Sequence, residues 1–288
     1  MFLQHLQQAN NMLSAKQPIG IFDSGIGGLT VANAVLRVLP NESIIYFGDT
    51  AHLPYGDKSP DTIARYAQVI TDFLLSQQCK LIIIACNSAS SVAFDKVREQ
   101  AHAKGVEVVN VIDPVVACIA DRGYRSVGVI GTRATIGSGV FPQKIAALDR
   151  QMEVASLATP LLAPMIESGF VKGDISRLVI ENYLDDPKLE GIEALILACT
   201  HYPLIKAEIE NHYALKGLSV DILATNEIVA EYVQTLLQSL SLIHQGAPEP
   251  HRFYVSDYTE SFEQTTRLFY KQAVHLEQSS IFAGETAY

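Results

Sequence analysis

Short apolar runs, broken by glycine, proline and small polar residues, recur along this chain, and most of them do not alternate with polar positions. A run of that kind reads as a strand buried on both faces, the habit of parallel sheets covered by helices. QPIGIFDSGIGGLTVANAVLRVLP reads as strand, glycine turn and helix, and SIIYFGD (43–49) as a second strand. The loop AHLPYGDKSP leads into a helical pattern, DTIARYAQVITDFLLSQQ. A strand over 81–85, a helix around 88–103 and the strand VEVVNVI (106–112) follow. RSVGVIG (125–131), MEVASLA (152–158) and IEALILA (192–198) supply further strands, with helical patterns between them. This alternation of strand and helix predicts an α/β protein with parallel sheets.

Two of these runs share a longer plan. LIIIACNSAS (81–90) and ALILACTHYP (194–203) each end in a cysteine followed by small polar groups, Cys86 in the first and Cys199 in the second. Each cysteine should stand at the carboxyl end of a strand, where open α/β sheets build their sites. The two are separated by about the length of one small domain, and 288 residues at roughly 150 per domain suggest two units. Asp113-Pro114 marks a boundary, since proline suits the first turn of a new helix. LSVDILAT (218–225) reads as the start of the return to the first unit. The amphipathic helix EIVAEYVQTLLQSL, the polar stretch HQGAPEPH, a last strand RFYVSD and a last helix follow it. The expected division is a first lobe of residues 1–112 plus 222–288, with 1–18 as an N-terminal extension, and a second lobe of residues 113–221.

Composition narrows the partners. Hydrophobic residues make up 48% of the chain and charged ones 18%, enough for ordinary cores. The net charge of −10, with no run of lysine or arginine, disfavours nucleic acid and anionic membrane surfaces as partners. The apolar runs fall short of the roughly 20 residues that span a bilayer. MFLQHLQQANNMLSAKQP lacks the continuous apolar core of a secretory signal. The four cysteines are therefore expected as reduced thiols in the cytoplasm. No C-x-x-C pair or other metal-ligand cluster is visible, so no metal is expected.

Two thiols in matched settings on two similar lobes, facing one cleft, would make a pair of acid/base groups on opposite sides of a small substrate. A strand-end cysteine can equally be a small buried hydrophobe, and that is the reading for Cys79 and Cys118. For Cys86 beside Asn87-Ser88 and Cys199 beside Thr200-His201, the matched settings favour chemistry, and a helix N-terminus helps to supply thiolate. In DSGIGG (23–28), glycines let backbone amides approach an anion, while Asp23 reads either as a helix N-cap or as a group that orients Cys86 or holds a substrate ammonium. Pro54-Tyr55-Gly56 alone reads as turn chemistry. His201 could tune Cys199 as a proton partner or simply cap a helix, and Glu167 alone reads as a solvated helix-end acid. Thr132, Thr135 and Ser138 in GTRATIGSG (131–139) could bind a carboxylate or cap the helix after them.

Taken together and in order, FDSGIGGL, DTAHLPYG, ACNSAS, the GTRATIGS loop, PMIESG and LACTHYPL resemble the glutamate racemases, cofactor-independent amino-acid racemases, from about Ile19 to the final helix. The resemblance implies two flavodoxin-like α/β lobes related by a pseudo-twofold axis, with the second lobe inserted in the first and the active site between them. It implies Cys86 and Cys199 as the catalytic bases, on the D-glutamate and L-glutamate sides respectively. Asp23 would assist Cys86, and Glu167 with His201 would assist Cys199. Asp23, Ser24, Tyr55, Gly56, Asn87, Ser88, Thr135, Thr200 and His201 would form the substrate site. Ser88 stands where threonine is usual, and His52 where arginine is frequent. The resemblance also implies no cofactor and the supply of D-glutamate for peptidoglycan. The extension reads either as a frayed terminus or as the place where a nucleotide-linked cell-wall precursor activates the enzyme, as in some relatives, and a homodimer is the assembly considered.

Three rivals are weighed against this. Racemisation of aspartate or another acidic amino acid is the nearest, and the Cys-Thr-His sequence argues against it, because aspartate racemases typically carry glutamate after Cys-Thr. A two-lobed solute-binding module predicts a secretion signal and has no use for paired thiols. A decarboxylase of the same superfamily would lack one of the two cysteines.

Overall fold

The structure is a computed structural model that describes residues 13–148, 151–270 and 272–282. Among these, ten strands form two sheets: β1 (Ile19–Asp23), β2 (Ile44–Gly48), β3 (Leu81–Ile84), β4 (Glu107–Asn110), β5 (Ser126–Gly131), β6 (Glu153–Ala158), β7 (Ala194–Ala198), β8 (Asp221–Ala224), β9 (Arg252–Val255) and β10 (Leu276–Gln278). The first sheet runs β10-β9-β2-β1-β3-β4 and the second β6-β5-β7-β8, with every pairing parallel. The first four strands of each lobe therefore take the same spatial order, second-first-third-fourth, which is the flavodoxin-like pattern. β1, β2, β3 and β7 are buried along their whole length, as runs without alternation require of strands covered on both faces.

This shared order explains why the two cysteine runs look alike. β3 and β7 are the third strands of their lobes, each beside the first strand, so Cys86 and Cys199 follow the carboxyl ends of equivalent strands. In each lobe that point is where the strand order reverses, the crevice in which such sheets hold ligands.

Two expectations are corrected. Residues 218–225 do not begin the return to the first lobe, because β8 pairs in register with β7 and completes the second sheet. The crossing back is made by the helix Thr225–Ser239, which packs on Leu29–Val38 of the first lobe and on Asp113–Arg122 of the second. The strand RFYVSD is not the last, because β10 adds a further edge beside β9. That strand is three residues long and buries only Leu276, so it carries no run of apolar residues to betray it. No helix among the described residues is long and apolar enough to cross a membrane.

The first lobe is drawn from distant parts of the chain, and one buried ion pair joins them. Lys80, just before β3, is wholly buried, with its Nζ 2.6 Å from Glu42 Oε2. The ammonium also donates to the carbonyls of Ala15 at 2.5 Å and Leu242 at 2.8 Å. Glu42 Oε1 in turn accepts the His244 N–H at 2.9 Å. Burial pulls the Lys80 pKa down, and the bond to Glu42 holds it up. Lys80→Ala should cost about 3–5 kcal/mol, because it strands a buried carboxylate. Replacing the pair together, Lys80→Met with Glu42→Leu, should recover most of that loss. Urea unfolding of the three proteins checks both statements, and a double variant no more stable than Lys80→Ala would refute the account.

Candidate active site

The two sheets turn their carboxyl ends toward one cleft of about 110 Å3. This is well below the roughly 300–1,000 Å3 of pockets that take drug-sized ligands, so the space suits a small metabolite. Of the residues expected there, Ser24, Tyr55, Gly56, Cys86, Asn87, Ser88, Glu167, Cys199, Thr200 and His201 all line it. Asp23 and Thr135 do not. Asp23 lies beneath the floor, 1% exposed, and Thr135 is equally buried behind Thr132, which does face the cleft.

The first arm is built on β3. Cys86 caps the helix Asn87–His102, and its Sγ accepts the Ala89 N–H at 3.4 Å. A helix N-terminus ordinarily favours thiolate, but here burial dominates. It pushes the thiol up to about 12, and the neighbouring Asp23 carboxylate adds to the rise. Asp23 is itself raised by burial, against which the His201 charge and the Gly28, Gly25 and Ser24 amides pull it down. Its Oδ2 accepts the N–H groups of Gly28 at 3.0 Å and Gly25 at 3.2 Å, so it shapes the glycine turn as well as facing Cys86. Asn87 is 3% exposed, and among the described residues neither polar atom of its side chain has a hydrogen-bond partner. Buried amides are seldom left so, and this one lines the cleft, where a ligand would meet it.

The second arm is built on β7. No helix begins at Cys199; a tight turn over Tyr202–Ile205 intervenes before the helix Lys206–Leu215. Its assistance comes from side chains instead. His201 Nδ1 lies 3.7 Å from Cys199 Sγ, and His201 Nε2 lies 2.8 Å from Glu167 Oε1. Burial resists charging of the imidazole, but the Cys199 sulfur and the Glu167 carboxylate outweigh it and raise His201 to about 10. Glu167 is thus no idle helix-end acid.

Hydroxyl groups tie each arm to the opposite lobe. Ser88 Oγ lies 2.8 Å from Thr132 Oγ1, which caps the short helix Arg133–Gly137 through Thr135 N–H at 3.2 Å. Thr135 Oγ1 completes the cluster, 3.1 Å from Thr132 and 3.4 Å from Ser88. On the other side the Thr30 hydroxyl donates to the Thr200 carbonyl at 2.8 Å. At the rim, Arg133 Nη1 reaches Asp57 Oδ1 at 3.2 Å between the lobes.

The Tyr55 hydroxyl is engaged within the first lobe, donating to Asp49 Oδ2 at 2.5 Å. Asp49 is fully buried and also holds His52 at 2.7 Å and the Ser256 hydroxyl at 2.7 Å. His52 does not line the cleft; its ring stacks on Tyr66 with centroids 4.1 Å apart. Asp49 and Thr30 were not singled out in the sequence. An aspartate at a strand end and a threonine in a helix's first turn carry no pattern of their own.

A match to the Asp/Glu/hydantoin racemase family covers residues 29–233. The glutamate racemase of Chlorobaculum tepidum is 42% identical over 260 residues, 89% of this chain and 93% of that protein. The crystal structure of Francisella tularensis glutamate racemase in complex with D-glutamate superposes with a TM-score of 0.86 at 39% identity, covering 93% of this chain and 99% of that one. An aspartate racemase homologue from Pyrococcus horikoshii shares the fold more distantly, with a TM-score of 0.55 at 20% identity over 77% of this chain and 99% of that one.

The His201–Glu167 pair has a pH signature. Because His201 is raised from its ordinary 6.5 to about 10, its charging stabilises the fold fully below 6.5, and that contribution is lost as the pH rises through 10. NMR titration of the His201 ring should give a midpoint near 10, and Glu167→Gln should lower it. A wild-type midpoint at the ordinary value would refute the coupling.

Proposed function

Because this chain belongs to the Asp/Glu/hydantoin racemase family, we propose that it interconverts L- and D-glutamate without a cofactor, using Cys86 and Cys199 as opposed bases. The observation that carries this reading is the pair of thiols, each 5% exposed, at the ends of equivalent strands and lining one small cleft.

The chemistry follows from the surroundings. Removing a proton from Cα needs a thiolate on one face, and inversion needs a thiol on the other to return a proton. Cys86, with its thiol pushed up to about 12, is protonated at neutral pH. The imidazolium of His201, 3.7 Å from Cys199 Sγ, is the partner a thiolate there requires. Racemisation in either direction therefore needs one donor and one acceptor across the cleft. When Cys199 takes a proton from the L-enantiomer, Cys86 gives its own from the opposite face, and the reverse reaction exchanges the roles. The carbanion between them is met by groups already lining the cleft, the Asn87 amide and the hydroxyls of Ser24, Ser88, Thr132 and Thr200.

Glutamate is favoured over aspartate. A cleft set with donors for two carboxylates leaves some unpaired when the shorter acid keeps its Cα between the thiols, and unpaired buried donors discriminate strongly. The similarity to glutamate racemases over most of the chain supports the same choice. Supply of D-glutamate for peptidoglycan, in the cytoplasm, is the role we assign. All four cysteines are free, as a reducing compartment would keep them.

The pure protein, without added cofactor, should racemise L-glutamate in a chiral assay and turn over L-aspartate far more slowly; comparable rates would sink the assignment. In D2O each newly formed enantiomer should carry deuterium at Cα from the first turnovers, while unreacted substrate stays protiated. Cys86→Ala and Cys199→Ala should each lower the rate by orders of magnitude while binding persists. Product that kept the original proton would instead mean one base swinging between faces. A nucleotide-linked cell-wall precursor is the activator expected to act through residues 1–18, of which 1–12 lie outside the described residues. Deleting this segment should abolish any response to UDP-N-acetylmuramoyl-L-alanine, and an unchanged response would free the segment of that role.

A further inference from the structure

Thr30 belongs to neither cysteine arm, yet it is the hydroxyl that spans the lobes on the Cys199 side. It lies in the first turn of the helix Leu29–Val38, 5% exposed. Its one hydroxyl hydrogen is shared between the Gly27 carbonyl at 3.0 Å and the Thr200 carbonyl at 2.8 Å. The second of these acceptors is the residue next to Cys199. A helix residue that only turned its hydroxyl back to its own chain would need the first bond alone.

The surroundings leave this contact little freedom. A Cβ at Gly27 would fall 2.3 Å from His201 Cε1 and 2.6 Å from Thr200 Oγ1, so backbone of the first lobe lies directly on the second arm. The Cys86 arm is held in the corresponding way, by Ser88 on Thr132 and Thr135 of the second lobe. The Cys86 tie is a cluster of three hydroxyls, whereas the Cys199 tie found at Thr200 is this single hydroxyl on a carbonyl.

From this geometry we infer that Thr30 is a positioning residue for Cys199: its bond to the Thr200 carbonyl fixes where the second thiol stands relative to Cα and to Cys86. The inference rests on the two-thiol racemase reading and adds a residue to it. Displacement of a reacting group by about 1 Å can cost on the order of 100-fold in rate, so loss of one such bond should be visible.

Thr30→Val keeps the shape and removes the hydroxyl, and Thr30→Ser restores the hydroxyl without the methyl. The valine variant should lose about tenfold or more in kcat with little change in KM, and the serine variant should regain most of it. With α-deuterated substrate, the primary isotope effect should rise for the enantiomer deprotonated by Cys199 and fall for the other, because only one of the two proton transfers has been slowed. A general loosening of the fold would move both alike. Independently of turnover, iodoacetamide should alkylate Cys199 several-fold faster in Thr30→Val while Cys86 is unchanged, read by peptide mass spectrometry. Wild-type activity in Thr30→Val, a serine variant as impaired as the valine one, or equal changes at both cysteines would overturn the inference. A wild-type protein that does not racemise glutamate would instead remove the functional reading, and the alkylation comparison would still decide the role of Thr30.

Discussion

The close approach of the two lobes at their carboxyl edges is the constraint on which the site depends. Two sheets that each make a strand-end crevice are common enough; here the crevices are closed against each other around one small cleft. Gly27 shows how tight the closure is, since even a methyl group there would overlap His201 and Thr200. The same closure buries both cysteines, Asp23 and His201, and burial heads the causes acting on the titration of Cys86, Asp23 and His201 alike. A cleft opened to solvent would return Cys86 and Asp23 toward ordinary behaviour.

Similar strands do not make the two arms chemically equal. Cys86 sits on a helix N-terminus with a carboxylate beneath it, and Cys199 sits on a turn with an imidazole beside it. One lobe surrounds its thiol with negative charge and the other supplies positive charge, so repetition of a fold has yielded complementary halves. Asp23 and His201 also sense one another across the gap, the histidine pulling the carboxyl down. The protonation of one arm is therefore linked to that of the other.

The strands and the cysteines were legible in the sequence because burial on both faces writes long apolar runs, and because the repeat placed a cysteine at the end of two of them. The boundary near residue 222 was not legible. β8 and a returning first-lobe strand would carry the same apolar pattern, and only pairing with β7 distinguishes them. β10 was invisible because a short edge strand with one buried side chain has no pattern to show. Among the site residues, those of the cleft wall lay within recognisable loops. Thr135 was misplaced by one helical turn, since Thr132 and Thr135 are equally suited by type and only the capping geometry puts Thr132 at the surface of the cleft. Asp49 and Thr30 act through other residues, and such roles leave no mark on spacing.

The order of the strands also sets an order of events during synthesis. The second lobe is continuous in the chain, whereas the first needs β9 to cover the free edge of β2, and β2 is buried throughout in the finished molecule. At 5–20 residues per second, roughly 10–40 s separate the emergence of the two partners from a ribosome. For that interval β2 is an apolar strand with one open edge, the kind of surface that recruits other chains. The inserted lobe can fold while its host waits, and the Lys80–Glu42 node, which needs Leu242 and His244, can close only after the insertion has passed. Nascent-chain quality control would accordingly meet this protein as a finished second lobe attached to an unfinished first.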